Sequence, residues 1–179
     1  MTSRIAALGL VAAVCAPLLA APARAVEVSP YFPLPNYFER TKNDLLEQVT
    51  SWLTDGVKAI DKARAETQEK LDKSPEDAAL VQKLAELDTE KAKAMKELDV
   101  LKSPAVGKEA ELARKDVVVL NINRWINAVA RQATEQLKIA ILKDGLERDV
   151  AERRHIQLSG QADELERAKH STSFEAWGR

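Results

Sequence analysis

The sequence holds one cysteine, at position 15, two histidines and six glycines among 179 residues, and aromatics make up only 4%. A lone thiol excludes a disulfide framework and a thiolate metal site within the chain. So few aromatics and glycines, set against 31% charged residues, argue against a β-sandwich or a doubly wound sheet. No charge sign predominates, with 27 basic and 28 acidic residues, so no global basic field exists to hold nucleic acid. What the chain does have is 45% hydrophobic residues, too many for a wholly disordered protein, in a length that suits one domain. The balance favours long amphipathic helices.

The apolar excess is uneven. Met1 to Arg4 is a short basic start, Ile5 to Ala16 is almost unbroken apolar sequence, and Pro17 and Pro22 then break the run. Ala23-Arg24-Ala25 places small residues at the −3 and −1 positions of a cleavage site. Those parts in that order predict a secretory signal peptide over residues 1–25, cleaved after Ala25, and a periplasmic or secreted protein. The run is shorter than the ~20 residues a membrane-spanning helix needs. Only one arginine precedes it, which disfavours a twin-arginine signal. Cys15 follows Val14 and is itself followed by apolar residues, unlike a lipid-attachment site. Cleavage would leave a cysteine-free chain, and removing two arginines without an acid takes the formal charge from −1 to −3.

Residues 26–36 read as an extended leader, because Pro30, Pro33 and Pro35 fix φ and remove backbone donors. Tyr31, Phe32, Tyr37 and Phe38 gather around them, half of the aromatics in the chain. Two readings stand: these rings cover the end of a helical bundle, or they dock a partner.

The remainder predicts an all-α fold, an elongated antiparallel three-helix bundle or coiled coil over residues 37–158, with a polar, in part disordered tail over 159–179. Asn36 and Glu39 have capping-box spacing, and an apolar stripe runs from Leu45 and Val49 through Ile60 toward Leu71. Ser74-Pro75-Glu76-Asp77 reads as a helix start, and Ser103-Pro104 repeats it. Between them Leu80, Leu84, Leu87, Lys91, Ala94, Leu98 and Leu101 form a heptad seam with one lysine, which could specify register but is expected to snorkel at a two-helix edge. Val117 to Leu120 could pass for a strand, but Ile122, Trp125, Ile126, Val129 and Ala133 continue it at helical spacing. Asp144-Gly145 marks a break or kink, followed by a weaker helical piece from Leu146 to Leu158.

Three helices of roughly 50, 40 and 60 Å joined by two-residue turns do not match in length. The third would project past the second beyond about Arg131, carrying Leu137, Ile139, Ile141 and Leu142 with it. Such a cluster needs cover. Either the chain folds back at Gly145, or a protein partner or second copy covers it.

Chemistry is sparse. Glu152 and His155 have the Glu-x-x-His spacing of di-iron bundles, but Arg167 stands three residues before His170, so the second motif is missing. No zinc-protease, phosphate-loop or nucleophile-elbow motif occurs, and the carboxylates alternate with lysines as on a solvated helix face. The expectation is a non-enzyme with no catalytic residue, cofactor or metal. It is an exported interaction or assembly protein of the cell envelope, docking to a larger complex through the aromatic leader or the overhang. Membrane contact is expected only through an uncleaved signal. A signal peptide followed by an α-helical rod resembles, in architecture only, the minor pilus subunits of type IV secretion and conjugation systems. A periplasmic holdase chaperone is the other alternative. A lipid-surface binder is disfavoured by polar faces that mix acids and bases.

Overall fold

The computed structural model describes residues 28–39 and 41–177, with no strand among the described residues. The segment expected to be a signal peptide, with Ala23, Ala25 and the lone Cys15, lies outside them. The elements are α1 (Lys42–Lys73), α2 (Ala78–Lys102), α3 (Lys108–Leu142), α4 (Leu146–Lys169) and the single turn α5 (Thr172–Glu175). The chain is therefore all-α, as its periodicity predicts. The three-helix count is corrected to four long helices among the described residues, because the segment after Gly145 forms a full partner for α3.

The helices pair as two antiparallel hairpins. Asp61 meets Lys91 at 2.5 Å and Arg64 meets Asp88 at 2.6 Å, which sets α1 against α2. The seam lysine thus has an acid on the facing helix. In the second hairpin, His155 Nδ1 donates to the Ala133 carbonyl at 3.0 Å and Lys169 to Asn123 at 3.0 Å. The hairpins join at one end around a shared core of Leu45, Val49, Leu53, Leu98, Val118, Ile122 and Trp125. A polar tie runs through this joint. Buried Asn121 donates to Glu97 at 3.0 Å, and Arg124 bonds Glu97 at 2.8 Å and the Asn121 carbonyl oxygen at 3.0 Å. Every member is partnered, which is what keeps a mostly buried ion pair affordable in a low-dielectric setting.

Several boundaries differ from the sequence expectation. The Asn36 capping box is not used. Thr41 caps α1 by accepting the Asp44 N–H, while Gln48 accepts the Glu39 N–H and donates to the Tyr37 carbonyl. Residues 37–39 stay non-helical, and Phe38 packs on Trp125 with ring centroids 5.4 Å apart. Ser74 closes α1, its N–H reaching the Lys70 and Leu71 carbonyls, and Asp77 is the N-cap of α2, accepting from the Ala79 and Leu80 amides. Ser103 likewise closes α2, and α3 starts after Gly107 at φ 92°. The turns are longer than two residues because each serine terminates the preceding helix before another residue starts the next.

The polar-tail expectation is also corrected. α4 runs through Ser159-Gly160 to Lys169, and the tail returns to the core, burying Leu165, Phe174 and Trp177. Phe174 and Trp177 meet edge to face at 5.3 Å. One isolated glycine does not break a helix whose opposite face is already packed; it costs only about 1 kcal/mol relative to alanine.

Candidate interaction surface

The distal end of the second hairpin carries the least satisfied apolar surface. The α3 helix closes with the Lys143 N–H on the Ile139 carbonyl, and Gly145 turns the chain at φ 63°, a conformation that favours glycine. The fold-back expected at Gly145 does occur. It does not cover the overhang. The seam between α3 and α4 is filled by buried Ala133, Ala140 and Ala151, small residues that let the two helices approach closely. Larger neighbours lie on the flanks. Ile141, Leu142 and Leu146 are 73%, 80% and 75% exposed, and Leu137, Ile139, Val150 and Ile156 are exposed as well.

Helical phase at about 3.6 residues per turn divides them between two flanks. Ile139, Leu142, Leu146 and Val150 form one strip around the turn; Leu137, Ile141 and Ile156 lie on the other side. The first strip continues the line of a shallow groove lower on the same hairpin, lined by Val129, Gln132, Arg154 and Gln157 and abutted by Leu34, Pro35 and Asn36 of the leader.

The charges at this tip are balanced. From Glu135 to Arg154 the chain carries five acids and five bases. Glu135 pairs with Lys138 at 2.7 Å, Lys143 with Glu147 at 3.2 Å and Arg148 with Glu152 at 2.9 Å. The Arg148 guanidinium is held above its usual range, chiefly by its hydrogen bond to Glu152. The distal end of the α1–α2 hairpin is an internal contrast. It is rich in Glu, Lys and Asp, and its only exposed large apolar side chain is Val81. Exposed apolar residues are therefore not a general property of the hairpin ends.

The leader residues have a different fate. Phe32 is buried in a notch over Gly56, its ring 5.1 Å from that of Trp52, and the Trp52 indole N–H donates to the Pro33 carbonyl at 2.7 Å. Trp52 in turn meets Trp125 edge to face at 5.5 Å. Ser29 donates to Glu90 at 2.5 Å. Tyr31 and Phe38 are half-buried, and only Tyr37 is free, at 68% exposure. The leader packs along the side of the bundle, near the middle of α3, rather than over its end. Of the eight residues expected to mediate interaction, Tyr37 and the four of the overhang stay exposed. Sequence reasoning missed Leu146, Val150 and Ile156. The i, i+4 spacing of Leu146 and Val150 directly after Gly145 was the available signal.

Other candidates are accounted for by packing. A cleft of about 220 Å³ between leader, α1, α2 and α3 is lined by Trp52, Glu90, Lys93, Glu97 and Arg124, but Glu90 holds Ser29, and Glu97 holds Arg124 and Asn121. His155 is engaged by Ala133 and Glu152 by Arg148, and no cluster able to hold a metal occurs among the described residues. No helix among those residues is long and apolar enough to cross a membrane. Comparison with protein-family models, with curated proteins and with solved structures finds no match.

Proposed function

We propose that this chain is an exported, non-enzymatic assembly protein of the cell envelope that docks to a larger complex through the distal end of its α3–α4 hairpin. The observation that carries this reading is the cluster of seven large apolar side chains left exposed there, while the opposite hairpin end is polar. Large apolar side chains gathered on both flanks of one hairpin end, with Ile141, Leu142 and Leu146 at 73%, 80% and 75% exposure, mark a contact site. Burying each of several Leu or Ile side chains contributes about 1.5–3 kcal/mol, enough to hold a complex together. Balanced charges argue against nucleic acid or an anionic membrane as the target. Export rests on the basic start, apolar run and Ala-x-Ala site at the N-terminus. A minor pilus-type subunit would be one instance of this role.

The test is photo-crosslinking in cells, with a photoreactive side chain at Leu142 of a chain expressed with its residues 1–25. Discrete adducts larger than the monomer are expected, and the exported chain should begin at Val26. No adduct from a natively helical protein would remove the docking reading. A smear of many partners would favour a holdase instead.

A further inference from the structure

We infer that the occupant of the apolar tip is a second copy of this chain, joined through the Ile139, Leu142, Leu146 and Val150 strip in a two-fold symmetric contact. The inference rests on the docking reading above and names the partner. At the joined end of the molecule α3 packs on both helices of the first hairpin, and Leu165 of α4 enters the same core. Beyond Ala133 the α3–α4 hairpin stands as a two-helix layer, sealed only by Ala140 and Ala151, with its large apolar residues outside. A second hairpin of the same kind supplies the missing layer.

Charge permits the same partner. Five acids and five bases are interspersed from Glu135 to Arg154. A patch of one sign would repel its own copy, whereas a mixed, neutral one can be self-complementary when inverted about a two-fold axis. The strip also wraps the turn, with Leu142 and Leu146 on either side of Gly145. That places both residues close to the symmetry axis, where each can approach its counterpart. The patch is small, so the dimer forms with a dissociation constant on the order of micromolar.

The test is sedimentation equilibrium of the exported chain up to about 200 µM, well above the expected constant. A monomer–dimer equilibrium is expected. Leu142→Lys and Leu146→Lys alter two of the most exposed side chains, so they leave helical content unchanged and weaken the dimer by at least about a hundredfold. A second readout uses the absence of cysteine beyond position 15. Leu142→Cys or Leu146→Cys should oxidise to a disulfide-linked dimer, and Val81→Cys on the polar hairpin end should not. A chain that stays monomeric throughout, or open-ended polymers in place of a dimer, would overturn the inference. If cells nevertheless give discrete Leu142 adducts of another mass, the docking reading survives and the second copy does not. If neither adduct nor dimer forms, both fail.

Discussion

Gly56 and Phe32 show how a single residue choice decides where the leader lies. A Cβ on Gly56 would stand 1.9 Å from two Phe32 ring atoms, so only glycine leaves room for the ring against α1. Glycine within a helix costs about 1 kcal/mol, and burying a phenylalanine returns about 1.5–3 kcal/mol. Gly56→Ala should therefore displace Phe32 and lower stability by about 2 kcal/mol, read by denaturant unfolding. The loss should shrink in the Phe32→Ala background, where the clash is gone. Gly160, also within a helix, meets nothing within 4 Å of an added Cβ. Gly160→Ala should raise stability by about 0.5–1 kcal/mol in the same assay. In the sequence the two glycines look alike. Their opposite roles depend on a ring that is distant along the chain.

Among the elements, the tail is anchored by its buried Phe174 and Trp177 and by one carboxylate. Glu111 near the start of α3 accepts the Trp177 indole N–H at 2.5 Å and lies 3.4 Å from Lys42 Nζ, which also sits 4.6 Å over the Trp177 ring. The Trp177 hydrogen bond, more than the nearby Lys42, holds the Glu111 carboxyl below its ordinary value of 4.5. Because its pKa is lower folded than unfolded, its contribution is complete above about pH 4.5 and declines as the pH falls from there through the folded value. Acidification should thus loosen the tail. Glu111→Gln should be less stable than the parent at neutral pH and converge with it in acid, measured by urea unfolding across pH. The helices themselves were legible from periodicity, but their ends were not. Ser74 and Ser103 carry the chemistry of an N-cap, yet their amides terminate the helices before them. Which end a serine serves is settled by where the neighbouring helix can pack.

For the whole molecule, stability is concentrated where the two hairpins join. Trp125, Leu45, Val49, Ile122 and Leu165 are fully buried there, tied by Glu97, Asn121 and Arg124. The distal ends have few buried side chains, Thr67 in one hairpin and Ala140 and Ala151 in the other. Amide hydrogen exchange should accordingly be slowest around residues 45–53 and 118–125 and fastest at both hairpin ends. In the dimer the α3–α4 end alone should gain protection, since its partner buries those backbone turns.

From the sequence alone came the all-α class, the helical continuation through Val117 to Leu120, the turn at Gly145 and the apolar character of the overhang. Each is a local property of spacing and residue type. Only the tertiary structure decided that the chain after Gly145 forms a full fourth helix, that the tail folds into the core, and that the aromatic leader is largely consumed by its own bundle. It also decided that folding back leaves the overhang bare. Burial depends on what stands opposite a side chain: Ala133, Ala140 and Ala151 take the seam between α3 and α4, and helical phase turns Leu142 and Leu146 away from it.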